Sequence, residues 1–249
     1  LENRRGKAED MLDTYVSVDL ETTGLNIKTD KIIEIGAVLV EDGIITGEFQ
    51  AFVNPRRSLE EKTTALTGIT DEMLSGARGI DEVFPEFLAF SGPHCLVGHN
   101  IAFDFSFLKK AAVNLNLAYE RQAVDTLFLS RKLLADLEKK NLGAVCEALN
   151  VDMDNAHRAL ADARASSGVL ELLKKRYGGE HETLFTPKEM NFKIKKEQPA
   201  TKIQKEHLRE LAKCHRIDLP VQIDYLSRNE VSRLIDRIIS EYGKVKRGE

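Results

Sequence analysis

The sequence predicts an α/β protein: a mixed five-stranded sheet flanked by helices, then a small C-terminal helical module. Three observations carry this. Three strand-like runs follow one another between residues 15 and 53. After them, strand and helix spacings alternate as far as Lys175, which implies a sheet covered by helices. Finally, the charge balance changes: residues 186–249 hold 15 Lys and Arg against 10 Asp and Glu, whereas the whole chain carries a net −4. An acidic first part and a basic tail indicate two units. The expected division is 11–177, a linker over 178–199, and a module over 200–249.

In chain order, Tyr15 to Gly24 comes first, with Val16, Val18 and Leu20 on one parity and Ser17, Asp19 and Glu21 on the other. The run from Lys31 to Val40 is β-branched and nearly continuous, as for a strand covered on both faces. Glu41-Asp42-Gly43 reads as a hairpin turn into a third strand, Ile44 to Val53, ended by Asn54-Pro55. Short helical pieces fit Leu59–Leu66 and Asp71–Leu74, and helical spacing returns at Ile80, Val83, Phe84, Phe87 and Leu88. Cys95–His99 and Ala123–Thr126 are the fourth and fifth strands. Helices fit Phe103–Leu115, Leu127–Leu134, Leu142–Leu149 and Ala159–Lys175, the last closed by Gly178-Gly179. Two capping boxes, Thr201-x-x-Gln204 and Ser227-x-x-Glu230, open the helices of the module.

Composition bounds the function. Charged residues at 31% and hydrophobic ones at 42% are ordinary for a globular chain, and no apolar run could span a bilayer. Residues 1–7 lack an apolar signal core. Cys95, Cys146 and Cys214 are odd in number and widely spaced, which suits a reducing cytoplasm rather than a disulfide framework. The chain does not begin with Met, as expected of a trimmed chain or a piece of a longer one.

Chemistry concentrates on acidic residues. Asp19 and Glu21 project from the same strand face, roughly 7 Å apart, and two like charges brought together need a cation unless they stay solvated on an edge strand. Asp104 falls in the first turn of a helix, where the dipole alone would favour it. Asp125 reads equally well as an N-cap. Asp162 lies on the Ala-rich side of its helix, among Ala159, Ala161, Ala163 and Ala165, whose small side chains allow close approach to a sheet. A spacing of five does not stack His157 on Asp162, so His157 belongs to the preceding loop, free to swing over a site that Asp162 anchors. The histidines at 94, 181, 207 and 215 have no partners at metal spacing and read as surface residues.

Asp19-x-Glu21, Asp104 and His157-x4-Asp162, in that order, resemble the DEDDh family of 3′–5′ exonucleases. The chain is most similar to the DnaQ-like proofreading exonucleases of bacterial replicative polymerases, either an epsilon subunit or the exonuclease segment of a polymerase III. The stretches that carry the resemblance are Val18 to Leu25, Leu66 to Leu74, Gly98 to Asp104, Asp125-Thr126 and His157 to Ala163. It implies an RNase H-like fold in which Asp19, Glu21, Asp104 and Asp162 hold two Mg²⁺ or Mn²⁺ ions, hard cations that take oxygen ligands. It also implies His157 as general base, and Thr22, Thr23, Leu25, Asn100 and Phe103 as contacts to the terminal nucleotide; Asn100 and Phe103 fit packing roles equally well. The expected reaction removes nucleoside 5′-monophosphates from single-stranded or frayed 3′ ends of DNA, in proofreading or repair. RNA trimming by the same fold and a non-catalytic nucleic-acid-binding scaffold are the alternatives.

The module's helix–extended–helix pattern resembles small SAP-like domains. Its Lys and Arg residues suit a nucleic-acid tether, a docking element for a DNA polymerase or helicase, or simply solvated helix faces.

Overall fold

The computed structural model describes residues 12–153 and 157–244. The proposed start of the first unit at residue 11, and Lys246 and Arg247 of the basic tail, lie outside the described residues. The sheet order is β3-β2-β1-β4-β5-β6, with strands β1 (Thr14–Thr22), β2 (Ile32–Glu41), β3 (Ile44–Phe52), β4 (Cys95–Gly98), β5 (Gln122–Asp125) and β6 (Lys188–Glu189). β1 to β3 form the expected antiparallel meander, while β4 and β5 run parallel to β1. Asp42 and Gly43 turn β2 into β3 with positive φ at both positions, as an Asp-Gly hairpin turn requires.

A sixth strand replaces the expected five. β6 is only two residues long and pairs antiparallel with the edge of β5, too short to show a side-chain period in the sequence. A second correction concerns the last helix of the first unit. It does not close at Gly178-Gly179 but runs through both, because a turn of 3-10 helix at Glu182–Leu184 ends it.

Helices cover both faces. On one side pack α3 (Ile80–Ser91) and α4 (Ile101–Leu115), burying Val16, Val18 and Leu20 with Phe84, Phe87 and Phe105. On the other lie α5 (Thr126–Leu133), α6 (Leu142–Leu149) and α7 (Ala159–His181), which bury Tyr15, Val38, Val97 and Val124 with Val169, Leu170 and Leu173. β1 is therefore central, and both its parities are buried. Its Ser17, Asp19 and Glu21 face α7: the Ser17 hydroxyl donates to the Ala163 carbonyl at 2.8 Å. Two short helices, α1 (Glu61–Thr67) and α2 (Asp71–Ser75), connect β3 to α3.

The C-terminal helices α8 (Lys202–His215) and α9 (Arg228–Tyr242) both begin with the expected capping boxes. They pack around their own core of Leu208, Leu211, Leu226, Val231 and Ile238. The stretch before them lies along the first unit rather than free of it. The Glu197 N–H donates to the Asn114 side chain at 2.9 Å, and Glu197 pairs with buried Lys110 at 3.3 Å.

Candidate active site

Strand lengths open the site. β4 pairs with β1 only through Tyr15–Ser17, so the outer half of that β1 edge has no strand partner. Asp104, in the first turn of α4, fills the gap by accepting the Leu20 N–H at 3.1 Å. The turn into α4 is held by Asn100 in the left-handed region, whose N–H donates to Asp125. Asp125 also caps α5, as the N-cap reading expected. His99 is fixed on both ring nitrogens, Nε2 donating to the Lys140 carbonyl at 2.7 Å and Nδ1 facing the Thr126 hydroxyl at 3.0 Å. Its role there is structural.

On the opposite side, α7 approaches the sheet at Gly36, which stands beside Asp19 in the β1–β2 register. A Cβ at Gly36 would lie 2.0 Å from the Leu160 nitrogen. That close approach brings Asp162 and His157 to β1. Ligand atoms of Glu21, His157 and Asp162 lie within 4.8 Å of one another. The His157 N–H donates to Asp162 Oδ2 at 3.3 Å, while Asp162 Oδ1 is buried without a partner among the described residues.

The carboxylates repel one another. Burial, and then the charges of Asp104, Asp162, Glu21 and Glu34, push the Asp19 carboxyl well above the usual range. Burial raises Asp104 against the opposing pull of its backbone hydrogen bonds. It raises Asp162 too, against His157. Glu21 is pushed up to about 7 by burial, Asp162 and Glu34, with Arg158 opposing. Four crowded acids, all oxygen donors, with one oxygen unpaired, fit hard divalent cations.

The nucleotide-contact candidates border this cluster unequally. Thr22 and Thr23 follow Glu21 directly; Leu25 is 85% exposed and Asn100 is exposed. Phe103 is half-buried, with its ring 5.1 Å from that of Phe107, which gives it a packing role.

One buried ion pair beside the site escaped the sequence reading. Glu34, fully buried opposite Glu21, accepts from Arg158 Nη2 at 3.0 Å, from the Ala159 N–H at 3.2 Å and from Gln50 at 2.7 Å. The signal was a carboxylate inside a continuous apolar run, which needs a partner. Arg158→Gln is expected to cost about 2 kcal/mol by leaving that buried charge under-paired. It also removes the cation that draws the Glu21 carboxyl downward, so half-maximal Mn²⁺ binding should move to higher pH. Calorimetric Mn²⁺ titrations across pH check this, and an unmoved midpoint would count against the coupling.

Comparison with known proteins agrees with this geometry. The model of the exonuclease family (RNase_T) matches residues 16–170. The chain belongs to this exonuclease family. Among relatives, the PolC-type DNA polymerase III of Clostridium perfringens is 37% identical over 244 residues, 95% of this chain and 17% of that protein. Its counterpart from Thermotoga maritima is 42% identical over 167 residues, 65% of this chain and 12% of that protein. The chain thus spans less than a fifth of the length of these relatives. Exonuclease X in complex with 5′-overhanging duplex DNA superposes with a TM-score of 0.55 at 25% identity, covering 68% of this chain and 96% of that one. The E. coli exonuclease I–single-stranded DNA complex gives 0.64 at 20%, over 70% and 43%. The fold is that of DnaQ-like 3′–5′ exonucleases, a metal-dependent family, and the Glu21–His157–Asp162 group is a candidate metal site. No helix among the described residues is long and apolar enough to cross a membrane.

Proposed function

We propose that this exonuclease uses two Mg²⁺ or Mn²⁺ ions to remove nucleoside 5′-monophosphates from single-stranded or frayed 3′ ends of DNA. We assign its setting to proofreading or repair beside a DNA polymerase in the cytoplasm. The observation that carries this reading is the crowded carboxylate cluster at the end of β1, with an Asp162 oxygen buried and without a partner among the described residues. The DNA polymerase relatives favour DNA over RNA as substrate.

Asp19, Glu21, Asp104 and Asp162 would hold the cations. When bound, these would polarise the scissile phosphodiester and ease deprotonation of the attacking water. His157, exposed at the mouth of the cluster, would take the proton of the attacking water as its oxygen bonds to phosphorus; the P–O3′ bond breaks and the leaving 3′-oxygen takes a proton from solvent. The Glu34–Arg158 pair fixes the start of α7 and so the loop that carries His157. Thr22, Thr23, Leu25 and Asn100 form the wall against the terminal nucleotide, with Phe103 supporting it from behind. The unit boundaries 11–177, 178–199 and 200–249 belong to the same proposal, with the end of α7 and β6 lying within 178–199 and the last unit a basic module.

The test is digestion of 5′-labelled DNA and RNA oligonucleotides, with Mg²⁺, Mn²⁺ or EDTA, by wild type and Asp19→Ala. A ladder shortening from the 3′ end of DNA, lost with EDTA and with the substitution, is expected. Faster digestion of RNA would transfer the assignment to RNA trimming, and no digestion would leave a scaffold. His157→Gln is expected to lower kcat by about 10²- to 10³-fold while Mn²⁺ still binds. Single-turnover rates paired with calorimetry decide this, and a variant that loses the metal instead would make His157 a ligand rather than a base.

A further inference from the structure

The C-terminal module meets the first unit along a backbone seam at residues 56–58 and through side chains that reach Lys28 and Lys31. The Ser58 N–H donates to the Pro220 carbonyl at 2.9 Å and the Gln222 N–H to the Arg56 carbonyl at 2.8 Å, an antiparallel bridge centred on Arg57 and Val221. The Arg56 guanidinium lies over the Tyr225 ring, 4.3 Å from its centroid. Lys31 pairs with Glu230 at 2.8 Å. Burial alone would raise the Glu230 carboxyl; Lys31 and the Ser227 hydrogen bonds outweigh it and hold the group at about 2. The module keeps a core of its own beside these contacts.

Arg57 links this seam to the nucleotide wall. While its backbone pairs with the module, its side chain reaches the other way: Nη2 donates to the Thr23 hydroxyl at 3.3 Å and to the Thr29 carbonyl, with Asp30 at 3.9 Å. Thr23 sits in the turn that begins two residues beyond Glu21. Its N–H donates to the Lys31 carbonyl at 2.9 Å, its hydroxyl donates to Asp30 at 3.2 Å and accepts the Lys31 N–H at 3.1 Å. The turn is closed tightly on Asp30, since a Cβ at Gly24 would lie 2.6 Å from an Asp30 oxygen. Arg57 Nε is buried without an acceptor among the described residues. Such an orphan donor is costly, and a purely structural filler at this position would avoid it.

We propose that the docked module braces the nucleotide-contacting turn through Arg57, which makes Arg57 a positioning residue for substrate binding. This rests on the exonuclease reading and deepens it: the module acts on the site through the protein, not only through nucleic acid. A detached module frees the 56–58 backbone, Arg57 loses its fixed direction, and the Thr22–Leu25 wall loosens while the carboxylate cluster stays intact. The effect falls on KM rather than on kcat.

Two substrates separate this from simple tethering. A 5′-labelled single-stranded oligonucleotide has nucleotides upstream of the scissile bond; the p-nitrophenyl ester of thymidine 5′-monophosphate has the terminal nucleotide alone. In the full chain, Gln222→Pro combined with Glu230→Gln removes one seam hydrogen bond and the ion pair; the Gln222 φ of −83° suits proline. This variant and Arg57→Gln should each raise KM about tenfold on both substrates, with kcat within about twofold. Combining them should add little more, because both act through one contact. Arg57→Lys should restore part of the loss. Hydrogen exchange at the Thr23 and Lys31 amides should quicken in the same variants. A KM rise on the oligonucleotide alone would overturn the proposal in favour of a strand-binding tether. Unchanged KM or unchanged amide exchange would overturn it outright. Absence of hydrolysis by wild type with Mn²⁺ would instead remove the exonuclease reading beneath it.

Discussion

Glu21→Gln is expected to abolish hydrolysis and, in the metal-free protein, to raise the melting temperature. The loss of activity should reach about 10³-fold or more, since on the proposed assignment a ligand oxygen and its charge would leave the metal site together. The stabilisation follows from the pKa. Glu21 is held up at about 7 in the folded chain against an ordinary 4.5. A carboxyl raised on folding contributes its stability below about pH 4.5 and loses it as pH climbs through about 7, so at pH 8 the ionised group opposes folding. The full shift corresponds to roughly 3 kcal/mol, and sharing of charge among the four acids reduces it to about 2 kcal/mol. For a chain of this size that is a rise of about 5 °C. Calorimetry at pH 8 and at pH 4.5 tests the sign: the gain should vanish in acid. A variant less stable than wild type at pH 8 would show that the cluster is not repulsive in the folded state.

Gly36→Ala should cause the largest loss of stability. The added methyl would fall 2.0 Å from the Leu160 nitrogen and 2.1 Å from the Ala159 carbonyl carbon. These are backbone atoms that cannot rotate away, so α7 must lift from β2. The expected cost is roughly 3 kcal/mol or more. In protein that still folds, kcat should fall about 10²-fold, because Asp162 rides on the element that moves and His157 leads directly into it. Melting and single-turnover measurements check both, and wild-type stability in the alanine variant would refute the close approach.

Much of the sheet was legible because its strands announce themselves. Lys31 to Val40 is a nearly continuous run rich in β-branched residues, and Asp42-Gly43 favours a tight hairpin turn. The capping boxes at Thr201 and Ser227 were readable for the same reason: a local hydrogen bond needs specific residues at fixed offsets. The acidic residues were visible through their motif spacing, and the fold brings Glu21, His157 and Asp162 together. β6 was not legible, since two residues have no period to read. The seam between residues 56–58 and 220–222 was hidden more deeply, because backbone pairing leaves almost no trace in side chains. Glu34 was in plain view, but its partner Arg158 lies 124 positions away. Such a pairing emerges only when α7 is seen to lie across β2.

The acids of the cluster come from positions as distant as 19 and 162, and the last arrives on α7, the helix that closes over β1 and β2. A chain synthesised from its N-terminus displays β1, β2 and β4 long before α7 emerges. Until then Asp19 and Glu21 have no cage to complete. On the proposed assignment, a nascent or partly folded molecule would be harmless to nearby nucleic acid. Cleavage would then begin only when the long-range contacts are made, so the onset of hydrolysis during refolding would serve as a clock for the final closure of the domain.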